Sequence, residues 1–237
     1  MFVLSVILAR AGSRGLPNKC LRPLCGRVVV DYSFDHALES RRTSAVIFTT
    51  DCAEAAERAQ NRGIDWVRRP PHLATDTATV DDAARHAVEE YERRHRVRVD
   101  IVVLLYGNVP IRRHGVIDHA IRHLIETEAD SVRTVTPVGK HHPDWTYRID
   151  GDRMSQYRPN SLHRRQDLEP LYVLDGALTV VTRDALFAAV DSPADRQAFL
   201  GSDRRAITVA PHDTVDIDEP LDLCLAEAIL SMRSRTQ

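Results

Sequence analysis

The chain has 237 residues, of which 43% are hydrophobic and 28% are charged, and its formal net charge at pH 7 is -2. This composition is typical of a folded globular protein, and the near-neutral charge gives no basic footprint for nucleic acid. The apolar run before Arg10 covers about seven residues, too short for a signal-peptide core or the roughly 18 residues of a membrane span. We therefore expect a cytoplasmic protein with neither a nucleic-acid partner nor a membrane association.

Short β-branched segments alternate with longer amphipathic segments along most of the chain, a pattern that indicates a mainly parallel sheet covered by helices. In the first part we predict strands at residues 2–8, 45–49, 65–68, 99–105 and 131–137, and helices at residues 29–39, 53–62, 79–95 and 115–128. Further along we predict strands at residues 173–181 and 206–210, and helices at residues 184–190 and 219–232.

Residues 145–157 break this alternation, because polar and apolar residues alternate there around Asp150-Gly151, a two-residue hairpin signal. Long excursions of this kind often serve binding or association. We predict an inserted arm at residues 140–172. The whole chain, residues 1–237, is expected to form one α/β domain with a Rossmann-like (glycosyltransferase-A-like) fold of three layers.

The first strand runs directly into a glycine-bearing loop with cations at both ends and in the middle. Gly12 and Gly15 allow tight backbone turns and close approach to a ligand, while Arg10, Arg14 and Lys19 supply positive charge. Glycine in a connection after a strand also often serves only to allow the backbone turn, so a loop without a ligand is an alternative that stays open. We predict that the loop binds nucleotide phosphates through Leu8, Ala9, Arg10, Ala11, Gly12, Ser13, Arg14, Gly15, Asn18 and Lys19.

A second candidate site lies near the far end of the chain, at Val215-Asp216-Ile217-Asp218. In extended backbone the two carboxylates share one face while the apolar residues turn into the core. Paired carboxylates suit a hard cation, and we predict that Asp216 and Asp218 bind Mg²⁺. An alternative is that Asp218 caps the last helix, which leaves Asp216 unexplained.

A cationic phosphate loop and an acidic metal pair are the two parts that nucleotidyl transfer requires. Four segments in order, residues 7–19, 69–79, 164–177 and 215–218, resemble the acylneuraminate cytidylyltransferase family, whose members activate sialic and related nonulosonic acids. The resemblance implies catalytic roles for Arg10, Lys19, Asp216 and Asp218, with the first two on the CTP phosphates. It also implies that Thr79 is a hydroxyl donor near the cytosine or ribose.

On the sugar side the resemblance is less complete. It implies that Arg165 and Gln166 lie beside the acceptor, although a solvated charge is an equal alternative for Arg165. Asp175 replaces an Asn of the family, and Tyr106 and Asn108 replace a Gln and a Thr at the sugar site, so these three residues are predicted to bind the acceptor as well. The changes leave open an altered acceptor or a lost one, and they argue against N-acetylneuraminate itself.

We therefore expect an enzyme that transfers CMP from CTP to the anomeric hydroxyl of a sialic or nonulosonic type of sugar acid, with release of pyrophosphate. The resemblance further implies a homodimer built with the arm. Two alternatives stay open: a nucleotidyltransferase of the same fold with a different acceptor, and a noncatalytic CTP-binding regulator.

Overall fold

The computed structural model describes residues 1–12, 15–188, 195 and 197–235. In chain order the strands are β1 (Val3–Leu8), β2 (Pro23–Leu24), β3 (Arg27–Val28), β4 (Ala45–Thr50), β5 (Asp65–Arg68), β6 (Ile101–Tyr106), β7 (Ser131–Pro137), β8 (Tyr147–Asp150), β9 (Arg153–Gln156), β10 (Tyr172–Thr182) and β11 (Arg204–Thr208). The α-helices are α1 (Val29–Leu38), α2 (Ala53–Gln60), α3 (Val80–His95), α4 (Val116–Thr127), α5 (Arg183–Ala188) and α6 (Pro220–Arg235).

A seven-stranded sheet in the order β11-β7-β10-β6-β1-β4-β5 forms the middle layer. Its strands are parallel except for β10, which runs antiparallel to both β6 and β7. The central strands β1 and β6 are buried on both faces, which explains their continuous apolar sequences. The predicted Rossmann-like three-layer α/β fold is confirmed.

Each face of the sheet is covered by helices that contribute an apolar stripe. On one face Phe34 of α1 packs edge-on against Phe48, and Ile121 of α4 belongs to the same apolar cluster. On the other face Val88 of α3 and Leu104 belong to a second cluster. A third apolar cluster lies beyond the carboxyl ends of the strands and joins distant parts of the chain: Leu16, Leu24, Val29, Ile111, Val215, Ile217 and Ala226. This third cluster positions the candidate site.

The predicted hairpin is present as β8 and β9, which form a two-stranded sheet of their own with exposed residues. Its turn lies at Gly151-Asp152, one residue later than predicted, because Asp150 still pairs with Arg153 in the ladder. Gly151 has the positive φ of 62° that such a turn requires.

Other element boundaries differ from the predictions by a few residues. Strand β11 covers Arg204–Thr208 instead of residues 206–210, since its register is set by pairing with β7. The last part of the helix predicted at residues 184–190 lies outside the described residues. No helix in the described ranges is long and apolar enough to cross a bilayer.

Candidate active site

The strand order reverses direction at β1, with β4 on one side and β6 on the other. Ligands of α/β sheets bind at the carboxyl ends of strands next to such a reversal. A cleft of about 220 Å³ lies there. It is lined by seven predicted site residues: Leu8, Ala9, Arg10, Lys19, Thr79, Tyr106 and Asn108. Two further predicted residues, Ser13 and Arg14, lie outside the described residues.

Contacts at both ends hold the N-terminal loop against the sheet. The backbone N–H of Ala11 donates to Oδ1 of Asp51 over 2.8 Å, just beyond the carboxyl end of β4. Asn18 takes a left-handed conformation with φ of 53° and turns the chain into a short 3₁₀ helix. The guanidinium of Arg10 pairs with Asp76 at 2.7 Å, so one loop cation has a carboxylate partner that a bound phosphate would replace.

The N-terminal loop and the acidic segment meet although they are far apart in sequence. Nζ of Lys19 donates to Oδ1 of Asp218 over 2.7 Å. Gly15 lies so close to the same segment that a Cβ atom there would be 2.7 Å from the Asp218 carbonyl oxygen. Below this contact, Leu16 and Ile217 share the third apolar cluster. The loop cation and the carboxylates therefore belong to one site.

Asp216 is the more enclosed of the two carboxylates, since it is half-buried whereas Asp218 is exposed. Asn108 donates its side-chain amide to Asp216 and to the Ile217 carbonyl oxygen. Burial, together with the smaller effect of the nearby Asp218 carboxylate, raises the pKa of the Asp216 carboxyl to about 6. A nearby cation would therefore stabilise the charged form of the Asp216 carboxyl.

The alternative role of Asp218 as a helix cap is wrong. Helix α6 begins at Pro220, and Asp222 inside its first turn accepts from the backbone N–H groups of Asp218 and Glu219, at 2.8 and 2.7 Å. The Asp218 carboxylate accepts from Lys19 instead, and among the described residues no backbone N–H of α6 donates to it.

A buried guanidinium organises the loop that follows β6. Arg112 is 2% exposed and donates to the carbonyl oxygens of Tyr106, Val109 and Ala177 at 2.8, 2.6 and 2.7 Å. It also donates to the Ser33 hydroxyl at 3.0 Å. Burial lowers the pKa of Arg112 to about 9, so it is still a cation at neutral pH. Sequence reasoning missed this role, although a charged residue directly after an apolar stretch was a signal.

Asp175 lies beside the acidic pair, but its carboxylate is engaged by the protein. It accepts from the hydroxyls of Thr134 and Thr214 at 2.5 and 2.6 Å. The next residue, Gly176, has a φ of 75°, and a Cβ there would be 3.4 Å from Oδ2 of Asp216. Asp175 thus joins β7, the bulge in β10 and the acidic segment.

Three predicted residues have other surroundings than expected. Arg165 and Gln166 are exposed on the arm, and neither lines the cleft as far as the structure describes it. The Arg165 guanidinium lies next to Gly139. Thr79 borders the cleft, but its hydroxyl caps α3 by accepting from the Asp82 backbone N–H at 3.2 Å.

Arg69 is a cleft residue that the sequence interpretation did not select. It is 7% exposed, donates to the Thr49 carbonyl oxygen at 3.0 Å, and its Nε has no hydrogen-bond partner among the described residues. Burial lowers its pKa to about 10, which keeps it charged at neutral pH. A buried donor without a partner in a cleft suits an acceptor atom of a ligand.

Comparisons with known proteins agree with this geometry. A family described as cytidylyltransferase matches residues 4–168. An N-acylneuraminate cytidylyltransferase of Streptococcus agalactiae is 29% identical over 216 residues, which are 90% of this chain and 49% of that protein. The chain therefore spans about half the length of this relative. A CMP-N,N'-diacetyllegionaminic acid synthase of Legionella pneumophila is 28% identical over 98% of this chain and 97% of its own length.

Two solved structures share the fold. A CMP:2-keto-3-deoxy-manno-octonic acid synthetase in complex with CTP has a TM-score of 0.73 and 19% identity, with 99% of this chain and 100% of that chain covered. A 4-diphosphocytidyl-2C-methyl-D-erythritol synthase from Anaerococcus prevotii has a TM-score of 0.67 and 16% identity, with 97% and 96% covered.

The sheet, the cationic loop at its reversal point and the carboxylate pair beside that loop define a nucleotidyltransferase. Since the matched region covers well over half of the chain, the protein belongs to the cytidylyltransferase family.

Proposed function

We propose that this protein transfers CMP from CTP to the anomeric hydroxyl of a nonulosonic type of sugar acid and releases pyrophosphate. The observation that carries the proposal is the 2.7 Å contact between Lys19, which lines the cleft, and Asp218, because it brings the predicted phosphate loop beside a carboxylate pair. The names of relatives that act on N-acylneuraminate and on diacetyllegionaminic acid support the class of acceptor.

In the proposed reaction the anomeric oxygen forms a bond to the α-phosphorus of CTP, and the bond from that phosphorus to the bridging oxygen of the leaving pyrophosphate breaks. Arg10 and Lys19 bind phosphate oxygens and stabilise the charge that builds up on the leaving group. A carboxylate oxygen of the Asp216 and Asp218 pair accepts the hydroxyl proton. Binding of CTP exchanges the Asp76 partner of Arg10 for phosphate.

The carboxylate pair fits a divalent cation such as Mg²⁺, because both donors are oxygens and because burial and the Asp218 charge raise the pKa of Asp216 to about 6, so that a cation would stabilise its charged form. Asp216 and Asp218 would hold the ion, with CTP phosphates and water as further ligands, since the described residues contain no cluster of three or more metal-binding side chains. When bound, the ion supplies charge neutralisation at the α-phosphate.

A pyrophosphate-release assay tests the function. CTP, ATP, GTP and UTP are each combined with Mg²⁺ and with N-acetylneuraminate, N,N'-diacetyllegionaminic acid or 2-keto-3-deoxy-manno-octonic acid. We expect release with CTP and at least one acid, and a rate at least roughly 100-fold lower for Asp216→Ala. Binding of CTP without pyrophosphate release for any acid would instead identify a regulator.

We further propose that the arm, residues 140–172, joins two copies of the chain into a homodimer. Its hairpin exposes large apolar side chains: Tyr147 is 47% exposed, Ile149 67% and Met154 65%. Exposed apolar groups concentrated on one excursion are typical of an association surface. Light scattering should give twice the chain mass for the wild type and a monomer for Ile149→Glu; a wild-type monomer at micromolar concentration would refute the dimer.

The proposed location is the cytoplasm, because the proposed reaction consumes CTP, which cells make and keep there. Fractionation of cells that express the tagged protein, with pyrophosphate release measured in each fraction, tests this. Recovery of the activity in a membrane or external fraction would contradict it.

A further inference from the structure

Arg133 is a half-buried cation on β7 whose side chain has no ion pair or hydrogen bond to any of the described residues. Guanidinium groups at partly buried positions normally have acceptors, since desolvation without a partner is unfavourable. Burial lowers the pKa of Arg133, while Tyr106 and Asp175 act in the opposite direction. An unpaired guanidinium near a reaction site therefore calls for a ligand.

The register of the sheet places Arg133 on the same face as Tyr106. On β10, Thr179 pairs with Arg133 on one side and with Leu104 on the other, so these three residues share one face. Tyr106 lies on that face too, two residues after Leu104 and at the carboxyl end of β6. Tyr106 lines the cleft and acts on the charge of Arg133, so the guanidinium lies behind the part of the cleft wall that Tyr106 forms.

The surrounding charges distinguish Arg133 from the other cations of the site. Asp175 acts on the charge of Arg133, and Asp216 lies against Gly176, the residue after Asp175, so each of these carboxylates would repel an acidic acceptor. Lys19 contacts Asp218, and Arg112 contacts backbone carbonyl oxygens. Arg69, whose Nε has no hydrogen-bond partner in the described part of the chain, follows β5 on the other side of β1. Among the described cleft-side residues of this sheet face, Arg133 is thus the cation that is available to an incoming anion.

We propose that Arg133 binds the carboxylate of the acceptor sugar acid and so makes the enzyme specific for acids over neutral sugars. The inference rests on the proposed function and names a specificity residue for it. It places a cation for the acceptor within the sheet, whereas the resemblance put Arg165 of the arm beside the acceptor. A planar guanidinium matches a carboxylate with two parallel hydrogen bonds, a geometry that Lys does not reproduce.

The test compares the acid that turns over fastest with CTP against its C1 carboxamide, in the wild type, Arg133→Lys and Arg133→Gln. For Arg133→Gln we expect the KM for the acid to rise roughly 10- to 100-fold, and the preference for the acid over the amide to fall by a similar factor, because a charge-assisted pair is lost. The KM for CTP should change by less than about threefold, since phosphate contacts are separate. For Arg133→Lys, the KM for the acid and the preference for the acid over the amide should lie between those of the wild type and those of Arg133→Gln.

The matched control is Arg205→Gln on the neighbouring strand, whose guanidinium pairs with Asp203 at 2.6 Å and whose register partner is Val132, on the opposite face from Arg133. Its kinetic constants should equal those of the wild type. Thermal melting verifies that each variant folds.

Failure of the wild type to use any acid would overturn the proposed function and this inference together. Turnover of acids with an unchanged acid-to-amide preference in Arg133→Gln would overturn this inference alone. So would full recovery of the acid KM in the double variant Arg133→Gln with Asp175→Asn, because Arg133 would then merely balance Asp175.

Discussion

Gly15 gives the sharpest test of the junction between the N-terminal loop and the acidic segment. In Gly15→Ala the new Cβ would be 2.7 Å from the Asp218 carbonyl oxygen, about 0.7 Å closer than the 3.4 Å at which ordinary contact begins. The oxygen belongs to the backbone, so the loop and the segment have to separate. Overpacking of this kind costs about 1–3 kcal/mol, and we expect the lower end because Gly15 is exposed.

Two measurements check this prediction. Urea denaturation without nucleotide should show a free energy of unfolding about 1 kcal/mol lower than that of the wild type. Calorimetric titration with CTP and Mg²⁺ should show a dissociation constant about 10-fold higher, since a shift of the loop moves Lys19 away from the phosphates.

Gly12→Ala is the stability control in the same loop. A Cβ at Gly12 meets no atom within 4 Å, so this variant reports the effect of alanine on the unfolded chain alone. Its free energy of unfolding should stay within about 0.5 kcal/mol of the wild type. Equal stability and equal CTP affinity for Gly15→Ala and the wild type would show that the loop does not rest on the acidic segment.

Two further predictions concern the support of the site. Asn108→Ala removes the amide that donates to Asp216, and we expect the free energy of unfolding to fall by about 1.5–3 kcal/mol. A double-mutant cycle with Asp216→Asn checks this, and a coupling energy near zero would contradict it. Burial lowers the pKa of His36 to about 3, and the Arg112 guanidinium adds to this effect. His36 of the unfolded chain therefore binds a proton near pH 6.5, whereas His36 of the folded protein stays neutral there. The contribution of His36 to the free energy of unfolding is complete above that pH and is lost as the pH falls. We expect a loss of about 2 kcal/mol between pH 7.5 and pH 5, measured by urea denaturation, and a correspondingly smaller loss in His36→Gln. Identical pH dependence in the two proteins would rule out a neutral buried His36.

The alternation of apolar strands and amphipathic helices determined the fold class, because buried parallel strands and one-sided helices leave different periods in the sequence. Strand β7 was predicted to the residue, and β5 as well. The glycine-bearing loop and the acidic pair were also visible, because each is a contiguous segment whose chemistry depends on neighbouring residues.

Pairings between distant segments were decided by the tertiary structure alone. The antiparallel direction of β10 depends on which strands flank it, and a strand sequence does not encode its direction. The contact between Lys19 and Asp218 joins residues 199 positions apart. The contact forms because residues of both segments pack with α6 in one apolar cluster. No local sequence pattern predicts that packing.

The same reason explains the site residues whose surroundings differed from expectation. Asn108 and Asp175 were interpreted as ligands of the sugar, yet their side chains hold Asp216 and join β7 to the acidic segment. Arg112 received no role from the sequence, and only the fold shows that it donates to carbonyl oxygens of the loop after β6 and of β10. The chemistry of a polar side chain limits the groups that it can bind, and the three-dimensional packing decides which of those groups lies next to it.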